Sequence, residues 1–262
     1  YTPTRIIIER DVLDLNHYEV GPGPAGEALR IAFVADLQQD HHTGAERGRE
    51  VTSLVNQQSP DLILFGGDWI NTGSDHIEAA AVTASQFQSR LGTLSVRGDH
   101  EHFGFRDQER SLREVSKAVT RHGVTMLHNE IKTIEHRGKK IALIFLSYNY
   151  VFRTPVAQVR SLIQQAQQAD YSILITHQFD GHLAELVESQ VDLALVAHTH
   201  GGQVNPVVGL VHVPIARVET PYIAGRYQLG TTTLIVTSGI GYSIAPFRYA
   251  SPASVEIIDL QL

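Results

Sequence analysis

The sequence predicts an α/β protein with one mainly parallel sheet followed by a second, more antiparallel one. Three observations carry that expectation. Five apolar runs read as buried strands, and each ends in a carboxylate or an imidazole. They are Arg30 to Ala35 before Asp36, with Gln38 two places on; Leu62 to Gly67 before Asp68; Thr93 to Gly98 before Asp99-His100-Glu101; Ser172 to Thr176 before His177; and Leu193 to Ala197 before His198 and His200. Segments of helical spacing separate the first of these runs, which is the pattern of parallel βαβ units. Beyond Gly123 the pattern changes to closely spaced strand-like runs, two of them joined by a short Arg137-Gly138 turn.

Taken in order, Arg5 to Glu9 and Val12 to Leu15 read as a short strand or pair, and Gly21-Pro22-Gly23-Pro24-Ala25-Gly26 forces a turn. Glu46 to Gln58 places Val51, Leu54 and Val55 at helical spacing and stops at Ser59-Pro60. Asp75 to Leu91 is Ala-rich, with Ser74 placed to cap it, and reads as a second helix. Asp107 to His122 carries Leu112, Val115 and Val119 on one face and meets Gly123, a good residue just past a helix end. Val124 to Leu127, Ile131 to Glu135 and Lys140 to Ser147 read as the strands of the second sheet. Pro155 to Gln168 and Leu183 to Val187 read as helices, and Thr231 to Thr237 and Ser254 to Leu260 as closing strands. With no composition break, the 262 residues are expected to form one domain: residues 1–29 as a strand and turn extension, residues 30–262 as the catalytic core.

Composition narrows the function classes. Hydrophobic residues make up 42% and charged residues 19%, which suits a globular protein and not a disordered or fibrous one. A formal charge of −7 makes nucleic acid a poor first partner. The absence of cysteine removes disulfides, thiolate metal sites and thiol nucleophiles. The chain starts at Tyr1, not methionine, so any anchor or export signal is expected ahead of it, and neither location nor oligomeric state is legible.

Open α/β sheets place their sites beyond the carboxyl ends of strands, which is where these acids and imidazoles fall. Three carboxylates and three imidazoles brought to one edge would be costly to desolvate unless a cation neutralised them. Mixed Asp/His ligation suits Mn²⁺, Fe²⁺ or Zn²⁺ better than Mg²⁺ or Ca²⁺. Six or seven ligands are too many for one ion and suit two divalent ions about 3.5 to 4 Å apart.

The motifs Asp36-Leu37-Gln38, Gly66-Gly67-Asp68, Gly98-Asp99-His100-Glu101, Thr176-His177 and Ala197-His198-Thr199-His200 together resemble the calcineurin-like metallophosphoesterase family. Gly201-Gly202-Gln203, Gly239-Ile240-Gly241 and Arg248 are similar to a branch with many membrane-anchored or exported bacterial phosphohydrolases. The resemblance implies a four-layer α-β-β-α sandwich of two mixed sheets flanked by helices. It implies that Asp36, Gln38, Asp68 and His200 hold a first metal, and that Asp68, Asp99, His177 and His198 hold a second, with Asp68 bridging. His100 would lie near the leaving-group oxygen and donate a proton or hydrogen bond, while a metal-bridging hydroxide attacks phosphorus. Expected substrates are phosphomonoesters, phosphodiesters or pyrophosphate-linked compounds, presented by a small molecule or a lipid headgroup.

Two positions depart from the family pattern. Gln38 stands where histidine is usual, and its amide oxygen is a weaker ligand for a borderline metal. Asp99 stands where asparagine is usual and adds a negative charge. Both departures leave open a second reading, a catalytically weak or silent protein that binds metal or a phospholigand.

Blander roles compete for several of these residues. A lone strand-end aspartate usually caps a turn or helix, and only the joint order favours ligation. Glu101 is expected to orient His100 or cap a helix, and Trp69 to pack in the core. His41, His42 and His102 lie in loops expected at the site mouth, where histidines are more often merely solvated. His17, His122, His128, His136, His182 and His212 read as surface or packing residues.

Overall fold

Side chains alternate along the strands, and that alternation builds the layers. The structure is a computed structural model that describes residues 9, 11–23, 26, 28–208, 211–243 and 245–262. On β2 (Leu29–Val34) Ile31 and Phe33 join one buried cluster while Ala32 and Val34 join another. The first cluster also takes Leu62 and Leu64 from β3 (Leu62–Phe65), and Ile141, Leu143 and Phe145 from β7 (Lys139–Leu146), so two sheets share one core.

The first sheet has the order β1-β14-β2-β3-β4-β5. Its edges are β1 (Leu13–Val20) and β5 (Val124–Met126), with β4 (Thr93–Ser95) and β14 (Ala253–Leu260) inside. From β2 to β5 every pairing is parallel; β14 runs antiparallel to β2 and parallel to β1. Its outer face is covered by α1 (Ala45–Gln57), α2 (Ile77–Ala84) and α3 (Gln108–Arg121) through Val51, Val55, Ala80, Val115 and Val119.

Strands β10 (Val207–Val208) and β11 (Val211–His212) pair with each other, and the second sheet has the order β12-β13-β9-β8-β7-β6. Its members are β6 (Glu130–His136), β7, β8 (Tyr171–Thr176), β9 (Leu193–Val196), β12 (Gly225–Leu229) and β13 (Thr232–Val236). Val159 and Ile163 of α4 (Val156–Ala166) and Leu183 and Val187 of α5 (Gly181–Val187) pack on its outer face. The layers are therefore helix, mixed sheet, mixed sheet, helix. Among the described residues no helix is long and apolar enough to cross a membrane.

Local expectations differed from the structure in three places. Val124 to Met126 joins the first sheet, because α3 returns it parallel to β4 as one more βαβ unit. The second sheet is antiparallel only at its edges, β6–β7 and β12–β13, and parallel across its centre. The helix expected over Asp75 to Leu91 is α2 alone: Ser74–His76 is a separate 3-10 turn and Ser74 caps nothing. Asn56 ends α2's run, since its side-chain amide donates to the Gln86 carbonyl at 2.8 Å and accepts from the Gln88 amide at 2.9 Å. By contrast Asp107 caps α3 as its type predicts, accepting from the Arg110 amide at 3.0 Å. The β6–β7 hairpin turns on Arg137 and Gly138, both at positive φ, as a tight two-residue connection requires. The run Arg5 to Glu9, apart from Glu9, lies outside the described residues, as do Pro24 and Ala25 of the turn.

Candidate metal centre

All five motif loops leave the carboxyl ends of β2, β3, β4, β8 and β9 at the edge shared by the two sheets. Just past those ends the backbone is unusual. Asp36, Gln38, Asp68, His198 and His200 all have positive φ, between 45° and 74°. Such conformations cost non-glycine residues about 1 kcal/mol or more and persist where the surroundings enforce them. Packing enforces them here. A Cβ on Gly98 would lie 2.1 Å from Asp68 Oδ1, and one on Gly239 would lie 2.5 Å from Asp36 Oδ2. Bare glycine backbone is thus what lets the Gly98 and Gly239 loops close on the two carboxylates.

Two groups of donors converge, Asp36 with Asp68 and His177, and Asp99 with His177 and His198. His177 is shared between them. Its Nε2 lies 3.3 Å from both Asp68 Oδ2 and Asp99 Oδ2, and His198 Nδ1 lies 3.1 Å from Asp99 Oδ2. His177 Nδ1 donates to the Gly66 carbonyl at 2.8 Å, which turns Nε2 toward the carboxylates. His200 stands slightly apart, its Nε2 3.9 Å from Asp36 Oδ1. Gln38 donates its amide to Asp68 Oδ2 at 3.2 Å. Its own Oε1 is buried with no hydrogen-bond partner, as is Asp36 Oδ1.

Charge in the cluster is strongly coupled. Burial pushes Asp36 up to about 6. Burial acts the same way on Asp68 and Asp99 but is outweighed, for Asp68 by the charges of His177 and His100, and for Asp99 by hydrogen bonds from His177 and His198. Both are held well below the usual carboxylate range. Burial would lower His177, yet Asp68, Asp99 and Asp36 raise it well above an ordinary imidazole. A cluster of carboxylates that raises the proton affinity of a fully buried histidine is one that attracts positive charge. Buried carboxylates, imidazoles and orphaned oxygens form a donor set that fits divalent Mn, Fe or Zn.

His100 sits beside this cluster, with Nε2 3.9 Å from Asp68 Oδ2 and its backbone amide donating to Asp68 Oδ1 at 2.8 Å. Its Nδ1 donates to the Asn71 carbonyl at 2.5 Å, so Nε2 is the nitrogen left facing the site.

Several supporting residues were not assigned these tasks from sequence. Glu101, buried, accepts from the amides of Asp68 at 3.0 Å, Trp69 at 2.6 Å and Gly98 at 2.6 Å, tying two motif loops together. Burial, then the charge of Asp68, raises its pKa to about 7. Arg248 is wholly buried and gathers the carbonyls of His200, Ser251, Ser238, Gly239 and Gly241 at 2.8 to 3.2 Å. Its signals in sequence are its place after the Gly239-Ile240-Gly241 motif and its charge within a glycine-rich, apolar stretch. Gln178 reaches His198 Nε2 at 3.0 Å, and Glu219 approaches the same nitrogen at 3.3 Å.

Trp69 packs as expected, stacked on Phe65 with ring centroids 3.5 Å apart. His41 and His42 line a separate hollow of 660 Å³ with Asp11, Glu46, Arg47 and Glu50, not the metal cluster. His102 is buried and lines another hollow with Arg97 and Glu109.

Two mixed sheets of this topology, with acid and imidazole groups converging at their shared edge, define a metal-dependent phosphoesterase. A family model described as calcineurin-like phosphoesterase matches residues 29–202, and the chain belongs to that family, whose members use divalent metals. It is 26% identical over 240 residues to the uncharacterized metallophosphoesterase YkuE of Bacillus subtilis, covering 90% of this chain and 80% of that protein. It is 27% identical to the phosphodiesterase YaeI of Escherichia coli, covering 88% and 82%. The chain spans only 53% and 54% of two relatives from Danio rerio and Bos taurus, each named transmembrane protein with metallophosphoesterase domain. Among solved structures, TT1561 of Thermus thermophilus aligns with a TM-score of 0.53 over 81% of this chain and 90% of that one, at 14% identity, and so shares the fold.

Proposed function

We propose that the protein hydrolyses a phosphate ester, a diester being the first candidate because the relative YaeI is named a phosphodiesterase. The observation that carries this reading is the convergence of Asp36, Asp68, Asp99, His177 and His198, with buried, unpartnered acceptor oxygens on Asp36 and on the neighbouring Gln38. Asp36, Gln38, Asp68 and His200 would hold one divalent ion, and Asp68, Asp99, His177 and His198 a second. Mn, Fe and Zn match these donors. Such ions supply Lewis acidity toward the phosphoryl oxygens and a nucleophilic water at neutral pH.

The chain's own residues do the rest. Glu101 and the glycine contacts hold the Asp68 and Asp99 loops in register before substrate arrives, so little reorganisation is left for the reaction. His177 and His198 are oriented by Gly66 and Gln178. His100, with Nδ1 tied to Asn71, offers Nε2 to the departing oxygen and passes it a proton. The phosphate group comes from a small molecule or a lipid headgroup.

Elemental analysis combined with a screen of ions against aryl phosphate mono- and diesters tests the reading. Up to two transition-metal ions per chain and Mn²⁺-dependent turnover are expected. No bound metal and no turnover with any ion would instead favour a silent phospholigand-binding protein.

Gln38 sharpens the expectation. An amide in place of an imidazole weakens the first site relative to the second, which keeps Asp99, His177 and His198. Titrating Mn²⁺ into stripped protein should therefore give a tight and a weak step, with activity following the weak one. Gln38→His should merge the steps and shift preference toward Zn²⁺. One stoichiometric step in the unaltered protein, or an unchanged titration in the variant, would remove Gln38 from the metal.

A further inference from the structure

Beside the metal cluster lies a cavity of 460 Å³ whose floor includes His198 and His200. Its walls are apolar: Val204, Ile215 and Ala216 contribute to them together with Ala245 and Phe247, and Tyr150 and Glu219 stand where it meets His198. Among the described residues that line it there is neither lysine nor arginine, and the one charged side chain apart from the histidines is the carboxylate of Glu219. A nucleotide or a second phosphate held there would meet an anion and no cation. An uncharged, apolar group would instead leave water for a surface of its own kind.

The segment that forms one wall continues into solvent with unusual exposure. Val211, Val213, Ile215 and Val218 are 61%, 37%, 58% and 86% exposed, four large apolar side chains within eight residues. Exposed apolar residues scattered singly mean little, but a run of them at the mouth of an apolar cavity marks a contact surface. Ile215 belongs to both the cavity wall and the exposed run.

We infer that the cavity takes the hydrocarbon chain of a lipid-borne phosphoester, and that the Val211 to Val218 segment seats its mouth on the lipid surface. This rests on the phosphoesterase reading and adds the substrate class. The phosphoryl group reaches the metal cluster while the chain lies along Ile215, Ala216 and Phe247. With a net charge of −7 the protein gains nothing from anionic lipid, so insertion is driven by apolar contact and works on zwitterionic bilayers.

The test uses the Mn²⁺-supplied protein and a series of 4-nitrophenyl alkyl phosphodiesters, read by nitrophenolate release. Ethyl to octyl esters are given in solution and the hexadecyl ester in phosphatidylcholine vesicles. From ethyl to octyl, kcat/KM should rise by at least about tenfold, since each buried methylene strengthens binding. Ala216→Glu, which puts a charge in the cavity, should flatten that dependence of kcat/KM on chain length. Val218→Asp, at a position 86% exposed and outside the cavity lining, should leave the soluble esters unchanged, and should lower both hexadecyl ester turnover in vesicles and vesicle cosedimentation by about fivefold.

Turnover of the ethyl ester with no dependence on chain length would overturn this inference and leave the phosphoesterase reading standing. Turnover of no ester with any ion would take down that reading as well. Unchanged cosedimentation of Val218→Asp with vesicles would overturn the membrane contact in either case.

Discussion

His100→Ala is expected to lower kcat by about 10² to 10⁴-fold, the usual range for a positioned proton donor, with metal content nearly intact. The imidazole is held from two sides, by the Asn71 carbonyl at Nδ1 and by its own backbone amide on Asp68, and neither contact uses Nε2. Removing the ring therefore deletes the group that faces the site and leaves the backbone that braces Asp68. Loss should be smaller for esters whose leaving groups are good, such as 4-nitrophenolate, than for alkyl leaving groups. Kinetics on both substrate types, alongside metal analysis of the variant, checks this. A variant that lost its metal would mark His100 as a ligand, and equal losses on both substrates would deny it a role in protonating the leaving group.

The second large effect concerns stability. Glu101→Ala should destabilise the fold by about 3 kcal/mol or more, because three buried amides, those of Asp68, Trp69 and Gly98, lose their carboxyl acceptor together. Glu101→Gln, which keeps one carbonyl oxygen, should cost less. Urea unfolding of the metal-stripped proteins isolates the effect from metal linkage. A change under about 1 kcal/mol for the alanine variant would mean that the two loops hold their shape without this staple.

Much of this was legible in the residues. Apolar runs that stop at a carboxylate or imidazole located every strand of the site, because a buried parallel strand must be apolar throughout and its ligand can only follow its end. Asp107 before α3 and Gly138 in the β6–β7 turn were equally readable, since each satisfies a purely local backbone need. Asn56 was not, because its effect on α2 works through a contact some 30 residues away. Glu101 and Arg248 stood in the quoted motifs, but the contacts they make were not legible. Their partners are backbone amides and carbonyls, which carry no residue-specific signature. His41 and His42 sit close in sequence to Gln38, yet β-bridge pairing of Gln39 with Ile70 turns the chain so that they face another hollow.

The placement of β14 has a consequence for how the chain folds. It lies between β1 and β2, which have no hydrogen bonds to one another and meet only through it. Until residues 253–260 have been synthesised, β2 therefore has an unpaired edge and β1 has no neighbour, while the rest of the parallel core is already present. Closing the sheet then joins segments more than 220 residues apart, a search that is slow on entropic grounds. A nascent chain with an open edge at β2, apolar but for Arg30, is a natural client for a chaperone during that interval.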